Sequence, residues 1–462
     1  MRFLLKILFL ILFFTPNSFS QFVNKQAVPK KVRILFLLDA SGSMLGQWDG
    51  QVKMMAAKKV LSELVDSLKN NKNVELGLRI YGHQFHKKLN NCLDSKLEVS
   101  FQSNNYEAIK KKLEVIVPKG NTPISYSLEQ AAYDFPKENN VRNIIILITD
   151  GIESCQGDPC AVSLALQKQK VFLRPFIIGV GSEKDFANAF GCMGQYYDAN
   201  NTHTFRDVLK TIIKQTLNRT TVTVHLLDSY DKPTETNVNL TFINNFTGEA
   251  AYDFIHYLDK RGKTDTLEID PVLTYDLIVS TIPSIVKKDI RLKGGEHNII
   301  TIKAPQGSFL ISQPYNLEYK TPPVALIRQN GKLETLNVQK IGITEKYLVG
   351  KYDIELLTMP RIYFSNIEIS QSKTTTIKVP APGLLNIADE YMGYGSIYKI
   401  HTSGKQEWIY NFENNKSNIT LAMQPGDYKL VFRAAKATSS KYTDVHYFSI
   451  KSGESANVKL FK

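Results

Sequence analysis

A chain of 462 residues with 43% hydrophobic and 22% charged residues has the balance of globular protein. That balance excludes a disordered or fibrous chain, and the length exceeds what one core can organise, so roughly two to four domains are expected. The formal net charge of +13 sits mainly in the first half, where residues 1–220 carry 29 Lys and Arg against 19 Asp and Glu, and the remainder 28 against 25; with no basic helix and no aromatic–basic stripe along the chain, a nucleic-acid partner is not expected.

The chain opens on Arg2 and Lys6, an apolar run over residues 7–14 and the small residues Ser18 and Ser20. This is the order of a secretory signal peptide, residues 1–20, cut after Ser20. The run is shorter than the ~20 residues that span a bilayer, and no later stretch reaches that length. A secreted, periplasmic or surface protein with no transmembrane segment after signal cleavage is therefore expected.

Residues 31–217 alternate apolar strands with helical periodicity. A buried strand at 32–38 precedes a helix marked by Met54, Ala57, Leu61, Leu64 and Leu68 at steps of three and four. Strands follow at 74–81 and 97–101 and helices at 105–116 and 123–135. Residues 143–149 form a strand apolar on both faces, as a central parallel strand must be. A helix at 159–169, a strand at 171–180, a short helix at 183–190, a strand at 195–199 and a helix at 203–217 complete the series. Alternation of this kind predicts a doubly wound α/β domain with a parallel sheet, whose ligands bind at the carboxyl ends of the strands.

Three short segments carry chemistry. Asp39-Ala40-Ser41-Gly42-Ser43 ends the first strand in an acid and two spaced hydroxyls, Thr122 precedes a helix begun by Pro123, and Asp150-Gly151 ends the central strand. Alone, the first is compatible with a helix cap. If strands 32–38 and 143–149 are neighbours, both acids lie on one rim, and the loop before residue 123 brings Thr122 there. Two carboxylates and three hydroxyls form a hard oxygen set that suits Mg²⁺ or Mn²⁺, with Ca²⁺ less well served by so few acids.

On these segments the sequence resembles the von Willebrand factor type A family over residues 32–217. The resemblance implies a metal-ion-dependent adhesion site in which Ser41, Ser43 and Thr122 ligate the ion, Asp39 and Asp150 hold it largely through water, and a partner's carboxylate completes it. It also implies an exported bacterial type of such a protein.

From residue 220 the pattern changes to short alternating strands with Gly, Pro and Asn turns, which predicts all-β sandwich modules. Tyr275, Tyr352 and Tyr428 stand in similar segments at nearly equal steps, which points to three modules of one architecture at 220–303, 304–380 and 381–462. Ala304-Pro305-Gln306-Gly307 and Ala381-Pro382-Gly383 read as linkers.

Four cysteines, Cys92, Cys155, Cys160 and Cys192, leave three disulfide pairings open, a local Cys155–Cys160 bridge among them. His83 and His86 read as solvent-facing loop residues, residues 179–182 as a tight strand-to-helix turn, and Trp48 and Asp49 as a helix approach or a ligand contact. No G-x-S-x-G, H-E-x-x-H or Walker loop occurs, so no enzyme is expected. The function expected is metal-dependent, adhesion-type protein binding. The alternatives are a subunit for assembly or regulation of a cell-envelope complex and, least favoured, a metal-dependent hydrolase.

Overall fold

The computed structural model describes residues 28–181, 186–313, 322–388, 392–412 and 418–460. The expected signal peptide lies outside these residues. Among them, no helix is long and apolar enough to cross a membrane.

In chain order the first half comprises β1 (Lys31–Asp39), a small hairpin of β2 (Gln47–Trp48) and β3 (Gln51–Val52), α1 (Lys53–Leu68), β4 (Val74–Tyr81), β5 (Ser95–Gln102), α2 (Tyr106–Val115), α3 (Ile124–Asp134), β6 (Val141–Thr149), α4 (Pro159–Lys168), β7 (Phe176–Val180), α5 (Phe186–Phe190), β8 (Gln195–Ala199) and α6 (Thr202–Leu217). The large sheet runs β5-β4-β1-β6-β7-β8. Side chains of β1 divide between its two faces. Ile34, Phe36 and Leu38 pack with α1, α2 and α6, through Leu61, Ile109 and Phe205 among others. Leu35 and Leu37 pack with α3 through Ile124 and Leu128. Burial on both faces is the condition that makes β1 and β6 continuous apolar runs.

Two features differ from the sequence-based expectation. The sheet is mixed, because β5 pairs antiparallel with β4 and shifts register twice. The seventh strand begins at Phe176 rather than near 171. Pro175 immediately precedes it and has no N–H to give to a ladder.

Beyond residue 220 three sandwiches follow, each a four-stranded antiparallel sheet over a three-stranded one. In each, the first and last strands pair in parallel: Thr221–Leu227 with His297–Lys303, Gln306–Ser312 with Thr374–Lys378, and Gly383–Ala388 with Ser455–Lys459. Tyr275, Tyr352 and Tyr428 occupy equivalent strands. Their hydroxyls donate to the carbonyls of Asp270, Leu348 and Gln424 at 2.7, 2.7 and 2.6 Å, closing one corner of each sandwich.

The segments read as linkers are not slack. Ala304 and Ala381 are buried, and Gln306 and Gly383 already begin strands. Gly307 and Gly383 serve close backbone approach, since an added Cβ would lie 2.2 Å from the Ser370 carbonyl oxygen and 2.4 Å from that of Lys451.

Arg142, near the start of β6, ties the α/β domain to the first sandwich. Its Nε and Nη2 donate to Asp270 at 2.6 and 2.7 Å, and Nη1 donates to the Thr216 carbonyl. Both side chains are almost fully buried. Removing one partner strands the other charge in the interior, which costs more than the pair itself contributes. Asp270→Ala is therefore expected to destabilise the protein by about 3 kcal/mol, read from urea denaturation. A loss below about 1 kcal/mol would show that the junction is solvated.

Candidate metal centre

The rim is built by strand register. β1 and β6 pair in parallel with Leu38 opposite Ile148, so Asp39 and Asp150 leave the sheet side by side. Asp39 Oδ1 accepts the Ser41 backbone N–H at 2.7 Å, and Oδ2 accepts the Thr149 hydroxyl at 2.7 Å. The Ser41 and Ser43 hydroxyls stand 3.0 Å apart, and Ser43 Oγ donates to Asp150 Oδ1 at 2.8 Å. The other Asp150 oxygen, Oδ2, pairs with the Lys53 ammonium at 2.9 Å.

Thr122 reaches the same place because its loop is stitched to the first one. Lys119 N–H donates to the Ala40 carbonyl and Gly42 N–H to that of Gly120, both at 3.0 Å. Ser154 braces Thr122 from behind, accepting its N–H on Oγ at 2.9 Å and donating its own N–H to the Thr122 carbonyl at 3.1 Å. A methyl added at Gly151 would lie 3.7 Å from Thr122 Oγ1 and 3.9 Å from Ser43 Oγ. All five residues singled out from the sequence thus converge. Asp39, Ser41, Thr122 and Asp150 are buried, while Ser43 is exposed and opens the cluster to solvent.

This donor set fits a hard divalent cation. Among the described residues no group of three or more His, Cys, Asp or Glu could hold a metal, so an ion at this rim would have to enlist hydroxyls. Burial, and next the charge of Asp150, push the Asp39 carboxyl up to about 6, against the hydrogen bonds from Ser41 and Thr149. A positive charge near both acids relieves that repulsion, and Lys53 supplies one to Asp150.

Lys53, Thr149 and Ser154 were not singled out by sequence. Lys53 left a signal: a lysine as the first helical residue is opposed by the helix dipole, so it calls for a nearby anion.

Other expectations are corrected by the structure. Cys155 bonds Cys92 and Cys160 bonds Cys192, so the local bridge does not form. Cys155 belongs to the loop bracing Thr122, whereas Cys160 lies in the first turn of α4, capped by Asp158. His83 is buried rather than solvent-facing and bonds Glu98 at 2.9 Å, while His86 is exposed as expected. The β2–β3 hairpin holds Trp48 and Asp49: the indole donates to the Asn200 carbonyl at 3.1 Å, and the carboxylate accepts the Thr202 N–H at 2.8 Å. Gly181, in the expected turn, has φ of 61°.

Residues 34–215 match the family described as the von Willebrand factor type A domain. Two uncharacterized proteins of Bacillus subtilis (strain 168) are similar. YwmC is 28% identical over 213 residues, 44% of this chain and 91% of its own length, and YwmD is 31% identical over 196 residues, 40% and 85%. Among solved structures, the conserved hypothetical protein BatB from Bacteroides thetaiotaomicron is 21% identical with a TM-score of 0.32, covering 40% of this chain and 98% of that one. The pilus adhesin SpaC from Lactobacillus rhamnosus GG is 10% identical with a TM-score of 0.36, covering 93% and 83%. Likenesses this remote speak at most to fold.

If Lys53 acts as an internal counter-ion, replacing it by an uncharged residue should favour an external cation. Lys53→Met is expected to tighten Mg²⁺ binding about tenfold, or ~1.4 kcal/mol, by calorimetry; unchanged or weaker binding would show that the ammonium does not compete. Glu98 provides a pH test. Burial alone would raise its carboxyl, but the hydrogen bonds from Lys112 and His83 outweigh it and hold the group at about 2 against an ordinary 4.5. The ionised form therefore stabilises the fold above about 4.5, and this contribution is lost as pH falls towards about 2. The stability gap between wild type and Glu98→Gln should close over that window in urea titrations.

Proposed function

The chain belongs to the von Willebrand factor type A family through residues 34–215, and from that premise we propose that it is an exported binding protein that recognises an acidic group of a partner protein through a divalent cation. The supporting observation is the convergence of two buried carboxylates and three hydroxyls on one rim, with Ser43 open to solvent. Ser41, Ser43 and Thr122 would hold the ion through neutral oxygens, and Asp39 and Asp150 would balance its charge. Mg²⁺, with Mn²⁺ or Ca²⁺ as substitutes, supplies an electrophilic centre that three neutral donors leave unsaturated and able to take a partner's carboxylate.

The chain's own contribution is preorganisation. Thr149 and the Ser41 N–H fix both oxygens of Asp39, Ser154 fixes the Thr122 backbone, and Lys53 neutralises Asp150 until an ion arrives. Ser41 and Ser43 bond each other and Asp150 rather than a histidine, an arrangement that favours binding over nucleophilic chemistry. The sandwiches act as spacers that carry this rim.

Calorimetry on residues 21–462 is expected to detect Mg²⁺ binding that is lost in an Asp39→Ala, Ser41→Ala double variant; binding unchanged in that variant would sink the metal reading. Capture of native-host proteins with and without EDTA then separates the two binding roles. An EDTA-sensitive external protein supports adhesion, and an EDTA-sensitive envelope subunit moves the reading to complex assembly.

A further inference from the structure

The last sandwich carries a surface that the other two lack. Its four-stranded sheet consists of Gln406–Asn411, Gly393–Ile400, Gly426–Ala434 and Asp444–Ile450, in that order. Register places Trp408 opposite Tyr398, Tyr398 opposite Lys429, and Lys429 opposite Tyr447. These four side chains form one row across four strands, on the face turned away from the core. Trp408 is 57% exposed and Tyr447 70%. Four residues along the strands, Tyr394 stands opposite Arg433 on the same face.

The equivalent positions in the first two sandwiches are built differently. There, the residue after the corner tyrosine is Asp276 or Asp353. Each accepts a backbone N–H at 2.9 Å, from Asp289 and Asn366, which have φ near 60°. Both ladders shift register at that point. The third has Lys429 in place of the aspartate, and its ladder from Gly426 to Phe432 shows no shift. A bulge twists and bends a strand, so the third sheet lacks that bend between Lys429 and Tyr447, while its ladder to Gln406–Asn411 keeps a shift between Ile397 and Tyr398.

The face combines three chemistries. Aromatic rings present flat, electron-rich surfaces, suited to the weakly positive C–H faces of pyranose rings. Ser396 and Asn411 lie beside the row; Asn411 Oδ1 accepts from Trp408 Nε1 at 2.8 Å and from Ser396 Oγ at 2.6 Å, which fixes the indole. Lys429 lies 4.8 Å from the centroid of the Tyr398 ring and Arg433 5.7 Å from that of Tyr394. Among the described residues of the sheet, those two cations share this side with one carboxylate, Asp427, which already accepts the Ser449 hydroxyl at 2.6 Å. Among these residues the surplus is positive. Each cation is held over a tyrosine rather than spread along a groove, which favours occasional negative charges on a stackable chain over a continuous run of phosphates.

We propose that the outer face of the last sandwich, centred on Trp408, Tyr398, Lys429 and Tyr447, binds an acidic polysaccharide lying across the strands. At about 4.8 Å between strands, the row spans about 14 Å, the length of a short oligosaccharide. This surface shares no residue with the metal rim.

The test uses the full chain without residues 1–20, with polygalacturonate as the acidic probe, dextran as the neutral one and a single-stranded oligothymidylate as the nucleic-acid control. Retardation in gels containing each polymer gives the affinity, and thermal midpoints verify that the exposed-site variants fold. The expected result is binding to polygalacturonate, weakened about tenfold in both Trp408→Ala and Tyr447→Ala. Binding should fall in Lys429→Gln and in high salt, and be indifferent to EDTA. Absence of binding, or binding unchanged in folded Trp408→Ala and Tyr447→Ala, would overturn the proposal. Equal retention by dextran would overturn its acidic specificity, and tighter binding to oligothymidylate would reassign the face to nucleic acid.

Discussion

Two carboxylates buried at the ends of neighbouring parallel strands are the constraint on which the first half of this protein turns. Charges removed from water are costly unless they are bonded and balanced, and like charges in one site repel. The surroundings answer each part of that cost. Thr149 and the Ser41 N–H occupy Asp39, while Ser43 and Lys53 occupy Asp150. The register of β1 against β6 sets the distance between the acids, and α1 starts where its first residue can reach one of them. Both charges are thus bonded and balanced by groups of the chain itself.

The attachment of the sandwiches follows from the same strand. Arg142 lies near the start of β6 and Asp150 just beyond its end, eight residues later, a separation of about 26 Å at the rise of a strand. The interdomain ion pair is therefore anchored on the edge of the sheet opposite the rim that carries Asp39 and Asp150. From there the sandwiches run on with little slack, since Ala304 and Ala381 are buried and Gly307 and Gly383 let backbones meet. The rim stays uncovered by the sandwich to which its domain is tied. The aromatic face belongs to the last sandwich, which leaves the chain with one polar surface at its start and a second, stacking surface near its end.

Local pattern determined much of this. The three- and four-residue steps of Met54 to Leu68 specify α1, the unbroken apolar run of 143–149 specifies a central strand, and Asp39, Ser41, Ser43, Thr122 and Asp150 are recognisable by type and spacing because strand ends on one rim are a property of alternating β and α. What the sequence could not settle depends on partners distant along the chain. Cys155 has a near neighbour in Cys160 yet bonds Cys92, because two loops meet above the sheet. His83 looks like a loop residue and is buried against Glu98 on the adjacent strand. The glycines after Ala304 and Ala381 resemble flexible joints and are packed contacts. The row from Trp408 to Tyr447 is invisible along the chain, since its members come from four strands. Periodicity reports which face of its own element a residue occupies; only the tertiary structure decides what meets that face, because pairing and packing energies belong to residues that the chain itself keeps apart.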